Sequence, residues 1–224
     1  MESWKNIYQK KLVTADEAVK HIPNHARVFF GHAANEPPVL VDALVRNYEQ
    51  YEDVEITHWV PMGKGEYCDP KMEGHFRHNA MFVGASTRKA VQEGRADYTP
   101  FFYHQSTRFF SDGTYPIDVA LVSVTPPDEH GFVSLGVSVG GTKPAVLNAK
   151  LAIAQVNDQM PRTMGDSFLH VSQFDYFVEA PRLCRSWAEA PSAKWRKPSA
   201  GMWPPWWRTA LHCSWASAPF PTPF

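Results

Sequence analysis

The sequence predicts an α/β fold with an open, mostly parallel sheet and flanking helices. Short β-rich runs alternate with segments of helical character, which is the pattern of repeated β-α-β units. Two of the runs, 117–124 and 150–157, are almost continuously apolar, as expected for parallel strands covered on both faces. Ligands of such sheets gather at the carboxyl ends of the strands.

The first elements follow one another as helix, strand, loop and helix. Thr14 is placed to cap a helix because Glu17 stands three residues further on. Arg27–Phe30 is a short β-rich run that ends at Gly31, where an unusual φ angle is expected. A helix over 37–45 begins with two prolines, which suit the first turn of a helix.

The remaining elements continue the alternation. Further strands are predicted at 54–60, 81–84, 117–124 and 150–157, an apolar segment at 98–102 and a short helix at 87–94. The pattern predicts one amino-terminal α/β domain over 1–182.

Charge and composition favour a small-molecule substrate. Lysine and arginine total 22 against 23 acidic residues, without a basic run, so no long-range field attracts nucleic acid or an anionic membrane. No apolar run has the length of a signal peptide or a membrane span, and we expect a cytoplasmic protein. The ten histidines and three cysteines lack ligand spacing, so neither a metal site nor a disulfide framework is predicted.

Five segments, in their order and spacing, resemble the acetyl-CoA hydrolase/transferase family. They are TADEAV at 14–19, EPPVLV at 36–41, GKGEY at 63–67, PPDEHGF at 126–132 and VNDQ at 156–159. The resemblance runs from about Trp4 to Glu179 and covers the amino-terminal domain of the family. It implies a CoA-transferase-like α/β domain.

The resemblance also implies an activity. Family members move CoA between an acyl-CoA and a carboxylate through a glutamyl-CoA intermediate, and 4-hydroxybutyrate with acetate or butyrate is the exchange expected here. The nucleophilic glutamate belongs to a second domain and should lie beyond Phe224, so this chain alone should be inactive. We expect no permanently bound cofactor, CoA thioesters as substrates, and a homo-oligomer when the second domain is present.

Two other functions remain open. The same machinery could hydrolyse acetyl-CoA or exchange acetate with succinate, and only the pocket and the second domain would distinguish these reactions. Alternatively, the chain could be an inactive fragment that binds CoA weakly or pairs with a separate carboxy-terminal subunit.

Three segments supply the candidate binding residues. The first follows the first predicted strand and meets the amino end of a helix, where unpaired amides favour a carboxylate or phosphate. The second lies near another predicted strand end, and the third resembles the HGF loop of the family. The candidate substrate- or CoA-binding residues are Gly31, His32, Asn35, Glu36, Pro37, His104, Gln105, Ser106, His130, Gly131 and Phe132. Each segment also has a structural reading, in which Glu36 is a solvated first-turn acid, residues 103–106 pack a loop, and His130 hydrogen-bonds a neighbouring loop.

The composition changes abruptly after about Arg182. Residues 183–224 hold six tryptophans and seven prolines but a single acid, Glu189, without helical or strand periodicity. Translated one base out of register, this stretch can encode IGEVEKAIG and GATLQLGIGAIPDAV, which resemble the next segment of the family. We therefore hypothesise a frameshift near Arg182, equivalent to the loss of one nucleotide, followed by a disordered tail.

Overall fold

The computed structural model describes residues 3–180. Its helices are α1 (Trp4–Lys10), α2 (Ala15–Val19), α3 (Pro38–Arg46), α4 (Arg88–Gln92), α5 (Ser106–Ser111) and α6 (Thr142–Asn148). Its strands are β1 (Arg27–Phe30), β2 (Val54–His58), β3 (Phe76–Ala80), β4 (Ala96–Tyr98), β5 (Val119–Val124), β6 (Phe132–Ser134), β7 (Leu151–Val156), β8 (Phe168–His170) and β9 (Tyr176–Glu179).

Seven of these strands form one parallel sheet in the order β4-β3-β2-β1-β5-β7-β9, which confirms the predicted fold class. After β1 the chain adds β2, β3 and β4 on one side and then returns to place β5 on the other. The strand order therefore reverses between β1 and β5, which is where the ligand crevice of such a sheet is expected. Strands β6 and β8 pair separately as a small antiparallel ribbon.

Alternate residues of the central strands enter two cores, one on each face of the sheet. Phe29 of β1 and Val122 of β5 lie in one core, whereas Val28 and Leu121 lie in the other. All four side chains are fully buried. The continuous apolar runs of the central strands are thus explained by burial on both faces.

Several local predictions are confirmed. Thr14 caps α2 by accepting a hydrogen bond from the Glu17 amide at 3.2 Å. Strand β1 has the predicted bounds, and α3 carries proline in its first turn.

The third strand was predicted wrongly. Residues 81–84 are not a strand but begin with a bend at 81–82, and the strand is Phe76–Ala80 immediately before it. That segment carries Arg77 and two other polar residues, so its sequence lacks the apolar run that indicates a buried strand. Its backbone nevertheless pairs with β2 along its whole length.

The tryptophan- and proline-rich segment 183–224, together with its proposed frameshift, lies outside the described residues. Within residues 3–180, no helix is both long and apolar enough to cross a membrane.

Candidate functional site

The site is centred on the loop that leaves β1 at the reversal of strand order. Residues Ala33–Asn35 form a short 3-10 turn, and Ala33 has a positive φ of 51°, which is unusual for a residue other than glycine. The Ala33 amide donates to the Val60 carbonyl at 2.9 Å, which joins this loop to the loop leaving β2. A strained conformation is thus held by the neighbouring strand end.

Asn35 fixes the loop from within. Its side chain is fully buried, and its Nδ2 donates to the carbonyl oxygens of Ser123 at 2.6 Å and Leu135 at 2.8 Å. A Cβ atom on Gly31 would lie 2.2 Å from Asn35 Oδ1. Gly31 is therefore required for close approach, and the unusual φ expected at this glycine is wrong, because its φ lies outside the positive range.

Glu36 is a buried carboxylate that holds a second loop. It is 6% exposed, and its Oε2 accepts hydrogen bonds from the amides of Met62 at 3.0 Å and Gly63 at 2.6 Å. A Cβ atom on Gly63 would lie 1.8 Å from Oε1. The reading of Glu36 as a solvated first-turn acid is therefore wrong, and GKGEY contributes a glycine that fits this carboxylate.

The amino end of α3 is largely closed to anions. Pro37 and Pro38 have no N–H, and the Val39 amide donates to Oε1 of Gln155 at 3.0 Å. Gln155 is fully buried on β7, and its Nε2 donates to the Ala180 carbonyl at 3.4 Å. The first two helical positions thus offer no unpaired amide, contrary to the expectation for this segment.

His32 lies beneath the surface of the site. Its side chain is 7% exposed, and burial lowers its pKa to about 4, so the ring is neutral near pH 7. Ser138 Oγ lies 3.0 Å from Nδ1 and 2.9 Å from Nε2 of the ring. The indole of Trp59 packs edge-on against the ring at a centroid distance of 5.1 Å.

The second candidate segment contains both exposed and buried residues. Tyr103–Gln105 form a 3-10 turn, in which His104 and Gln105 are exposed, and Ser106 is buried at the start of α5. Tyr103, the first residue of this segment, is exposed, and its ring lies 6.0 Å from that of Trp59. A Cβ atom on Gly140 would lie 2.5 Å from the Tyr103 hydroxyl, so this loop also reaches the His32 region.

The HGF loop forms a tightly bonded turn next to α1 and the β6-β8 ribbon. Asp128 Oδ1 accepts from the amides of His130 and Phe132, both at 2.9 Å. Gly131 has a φ of 85°, and a Cβ atom there would lie 2.8 Å from the Trp4 side chain. The His130 ring is exposed and lies 3.4 Å from the Glu129 carboxylate. The turn is thus built on Asp128 and Gly131, with the imidazole directed to the surface.

Sequence reasoning missed two residues of the site, Trp59 and Gln155, which it assigns only to strands. For Gln155 a signal exists, because an amide within an otherwise apolar strand must find a hydrogen-bond partner when buried. For Trp59 no comparable signal exists. No group of three or more histidine, cysteine or acidic side chains within residues 3–180 is arranged to hold a metal ion.

Comparison with known proteins gives consistent results. Residues 1–186 match the family described as acetyl-CoA hydrolase/transferase N-terminal domain. The 4-hydroxybutyrate coenzyme A transferase of Clostridium kluyveri is 56% identical over 177 residues, covering 79% of this chain and 41% of that protein. The butyryl-CoA:acetate CoA-transferase of Anaerostipes caccae is 33% identical over 180 residues and 40% of its length. The chain thus spans about two fifths of these relatives.

A solved structure shares the fold at similar coverage. RipA from Yersinia pestis superposes with a TM-score of 0.79 and 26% identity, over 85% of this chain and 47% of that one.

Proposed function

The chain belongs to the acetyl-CoA hydrolase/transferase family, and from that premise we propose that it is the amino-terminal part of an acyl-CoA:carboxylate CoA-transferase. The proposed exchange moves CoA between 4-hydroxybutyrate and acetate or butyrate. The 56% identity to the 4-hydroxybutyrate coenzyme A transferase of Clostridium kluyveri is the observation that carries this choice.

The proposed reaction has two half-reactions with a covalent enzyme intermediate. A glutamate of the second domain attacks the acyl-CoA carbonyl, the C–S bond breaks, and an acyl-glutamyl anhydride forms with CoA thiolate as the leaving group. The thiolate then attacks the glutamyl carbonyl, which gives a glutamyl-CoA thioester and releases the donor carboxylate. The acceptor carboxylate reverses these steps, so the glutamate is regenerated.

This domain would bind and orient the acyl group. We assign that role to the crevice beyond β1 and β5, which includes Gly31, His32, Asn35, Glu36 and Pro37. Asn35 and Glu36 act through the loops that they hold, because Asn35 Nδ2 and Glu36 Oε2 hydrogen-bond to backbone groups of those loops. His32 is the candidate for direct contact. Such positioning holds the reacting groups at short range for the attack.

The other two segments contribute less directly to the proposed site. His104, Gln105, His130 and Phe132 are exposed, and they would contact CoA or the second domain. Gly131 is buried and would fix the geometry of its turn. Ser106 would support the turn from which Tyr103 projects.

We propose that the domain ends near residue 182 and that 183–224 is translated in a shifted frame. The family match, which reaches residue 186, supports a boundary in this region. Sequencing the source DNA tests the frameshift, and an uninterrupted frame encoding the same tail in independent isolates would contradict it.

We place the complete enzyme in the cytoplasm, where its CoA thioester substrates are found, and as a homo-oligomer. It uses no resident cofactor, because the glutamate and the CoA thiol supply the chemistry.

The test is a CoA-exchange assay with 4-hydroxybutyryl-CoA or butyryl-CoA and acetate. It compares the 224-residue chain with a protein restored by one base near Arg182 and extended through its downstream sequence. Exchange by the restored protein alone is expected. Exchange by the 224-residue chain would contradict the assignment of the nucleophile to a second domain, and hydrolysis without acceptor dependence would support an acetyl-CoA hydrolase.

A further inference from the structure

Gln155 is a polar residue at a position where a strand covered on both faces usually carries an apolar one. It lies near the carboxyl end of β7, its side chain is fully buried, and its neighbours Ala154 and Val156 are apolar. Ile153, on the same face two residues earlier, packs in the core that includes α3. A buried amide is unfavourable unless it is hydrogen-bonded, so the partners of Gln155 indicate its role.

The two ends of the Gln155 amide bond to two separate segments of the chain. Oε1 accepts from the Val39 amide in the first turn of α3 at 3.0 Å, and Nε2 donates to the Ala180 carbonyl at 3.4 Å. These partners lie 116 and 25 residues away from Gln155 in the sequence. One side chain thus joins the start of α3 to the segment that follows β9.

Ala180 is held at both of its backbone groups by neighbouring residues of β7. Its amide donates to the Val156 carbonyl at 3.1 Å, and its carbonyl accepts from Gln155. From Ala180 the chain continues toward the proposed domain boundary near residue 182. The direction in which it leaves is therefore set in part by the side chain that also holds the start of α3.

The start of α3 is connected directly to the loop of the candidate site. Glu36 lies three residues before Val39, and the two prolines between them have fixed φ angles. The Glu36 carboxylate in turn holds the amides of Met62 and Gly63. A displacement of the Val39 amide would therefore reach the Glu36 carboxylate and the loop that it holds.

We propose that Gln155 is a positioning residue for CoA transfer, which fixes the Glu36 loop relative to the point at which the chain leaves for the second domain. The inference rests on the proposed CoA-transferase function and deepens it. In that reaction the acyl group bound by this domain must meet a glutamate of the second domain. Because reacting groups must approach to within about 3 to 3.5 Å, displacing one half against the other slows every exchange.

The experiment compares Gln155→Met with the parent in the restored, full-length enzyme. Methionine has a similar length but lacks the amide that bonds Val39 and Ala180. We expect kcat and kcat/KM to fall by the same factor, roughly tenfold or more, for both 4-hydroxybutyryl-CoA and butyryl-CoA, because the geometry of attack changes and the fit of the acyl group does not. Hydrogen exchange of peptides covering 36–41 and 176–180 should become faster.

Tyr51→Phe supplies the matched control. Tyr51 is buried in the same core, and its hydroxyl donates to the Val19 carbonyl at 2.8 Å, so the substitution also removes a buried bond to a backbone carbonyl. This bond holds α2 and not the segments that Gln155 joins, so Tyr51→Phe should lower Tm without changing kcat or the exchange of the two peptides. If Gln155→Met does not fold, Gln155→Asn, whose side chain is too short to reach both segments, provides the same comparison.

The outcomes separate the two proposals. An active parent with an unchanged kcat in the folded variant, an equal loss of kcat in Tyr51→Phe, or unchanged exchange of both peptides would overturn the inference and leave the CoA-transferase function intact. A loss confined to one acyl-CoA would also overturn it, because positioning affects every substrate. A restored parent that exchanges neither substrate would overturn the proposed function and this inference together.

Discussion

Mild acid should unfold this domain because three neutral histidines are buried in it. His58 and His78 lie stacked at 4.5 Å, both nearly inaccessible, and His32 is 7% exposed. The His58 Nδ1–H donates to the Trp59 carbonyl, and its Nε2 lies 2.5 Å from the Tyr67 hydroxyl. Protonation would therefore add charge within a packed core.

The magnitude follows from the pKa values. Burial lowers the pKa of His32 and His78 from 6.5 to about 4, and that of His58 well below 6.5. The unfolded chain then binds more protons than the folded one below pH 6.5, so stability falls as the pH drops toward the folded pKa values. At about pH 5 His32 and His78 each cost about 2 kcal/mol, or about 4 kcal/mol together, and His58 adds to this, so the loss is a large part of the stability of a typical domain.

Urea unfolding at a series of pH values between about 7.5 and 5 measures this effect. The slope of the unfolding free energy against pH should correspond to the uptake of about three protons when one molecule unfolds. Burial raises the pKa of the Glu55 carboxyl, but hydrogen bonds from Arg27 and Tyr115 outweigh this effect and leave the pKa below its usual value. The contribution of Glu55 is therefore lost at lower pH and does not obscure this window.

Two variants test the assignment. His78→Asn keeps a donor for the Ile56 carbonyl and should remove about one proton from the slope. His130→Gln is the control, because the His130 side chain is 74% exposed and folding does not bury it. A slope below one proton in the unmodified chain, or an equal change in both variants, would refute the reasoning.

Two further predictions concern the loops of the site. Gly63→Ala should lower the unfolding free energy by about 3 kcal/mol, since the new Cβ would displace the Glu36 carboxylate from two charge-assisted hydrogen bonds. Thermal unfolding measures this loss, and Glu36→Gln should lose less stability than Gly63→Ala. Equal stability of Gly63→Ala and the parent protein would contradict the prediction. Asn35→Ala should cost about 2 to 4 kcal/mol, because two buried carbonyls lose their donor. The exposed Asn148→Ala is its control, and similar urea midpoints for the two would count against it.

The sequence predicts those parts of the fold that depend on burial. Strands β5 and β7 are recognisable because both faces are covered, which leaves a continuous apolar run. Strand β3 was missed because it carries Arg77, His78 and Asn79, which bond specific partners that only the folded chain supplies. The local hydrophobic pattern therefore fails to predict a strand whose polar side chains find their hydrogen-bond partners far away in the sequence.

The candidate site is predictable in place but not in detail. The loop after β1 was identified from its glycine and prolines, whereas the position of β5 beside β1 depends on a reversal in strand order that the sequence does not encode locally. The Glu36-Gly63 and His32-Ser138 contacts span 27 and 106 residues. The first contact joins the loops that leave the neighbouring strands β1 and β2, and the second depends on the position of β5 beside β1. Neither approach can be predicted from local sequence, so the solvated reading of Glu36 could not be corrected from the sequence.

The most direct test of the central claim is to locate the covalent intermediate. The restored enzyme is loaded with 4-hydroxybutyryl-CoA, treated with borohydride to reduce any glutamyl thioester to an alcohol, and mapped by peptide mass spectrometry. We expect one modified glutamate, situated in the second domain. Modification of Glu36, the buried carboxylate of the site, would contradict this assignment and would place the nucleophile in the amino-terminal half of the enzyme.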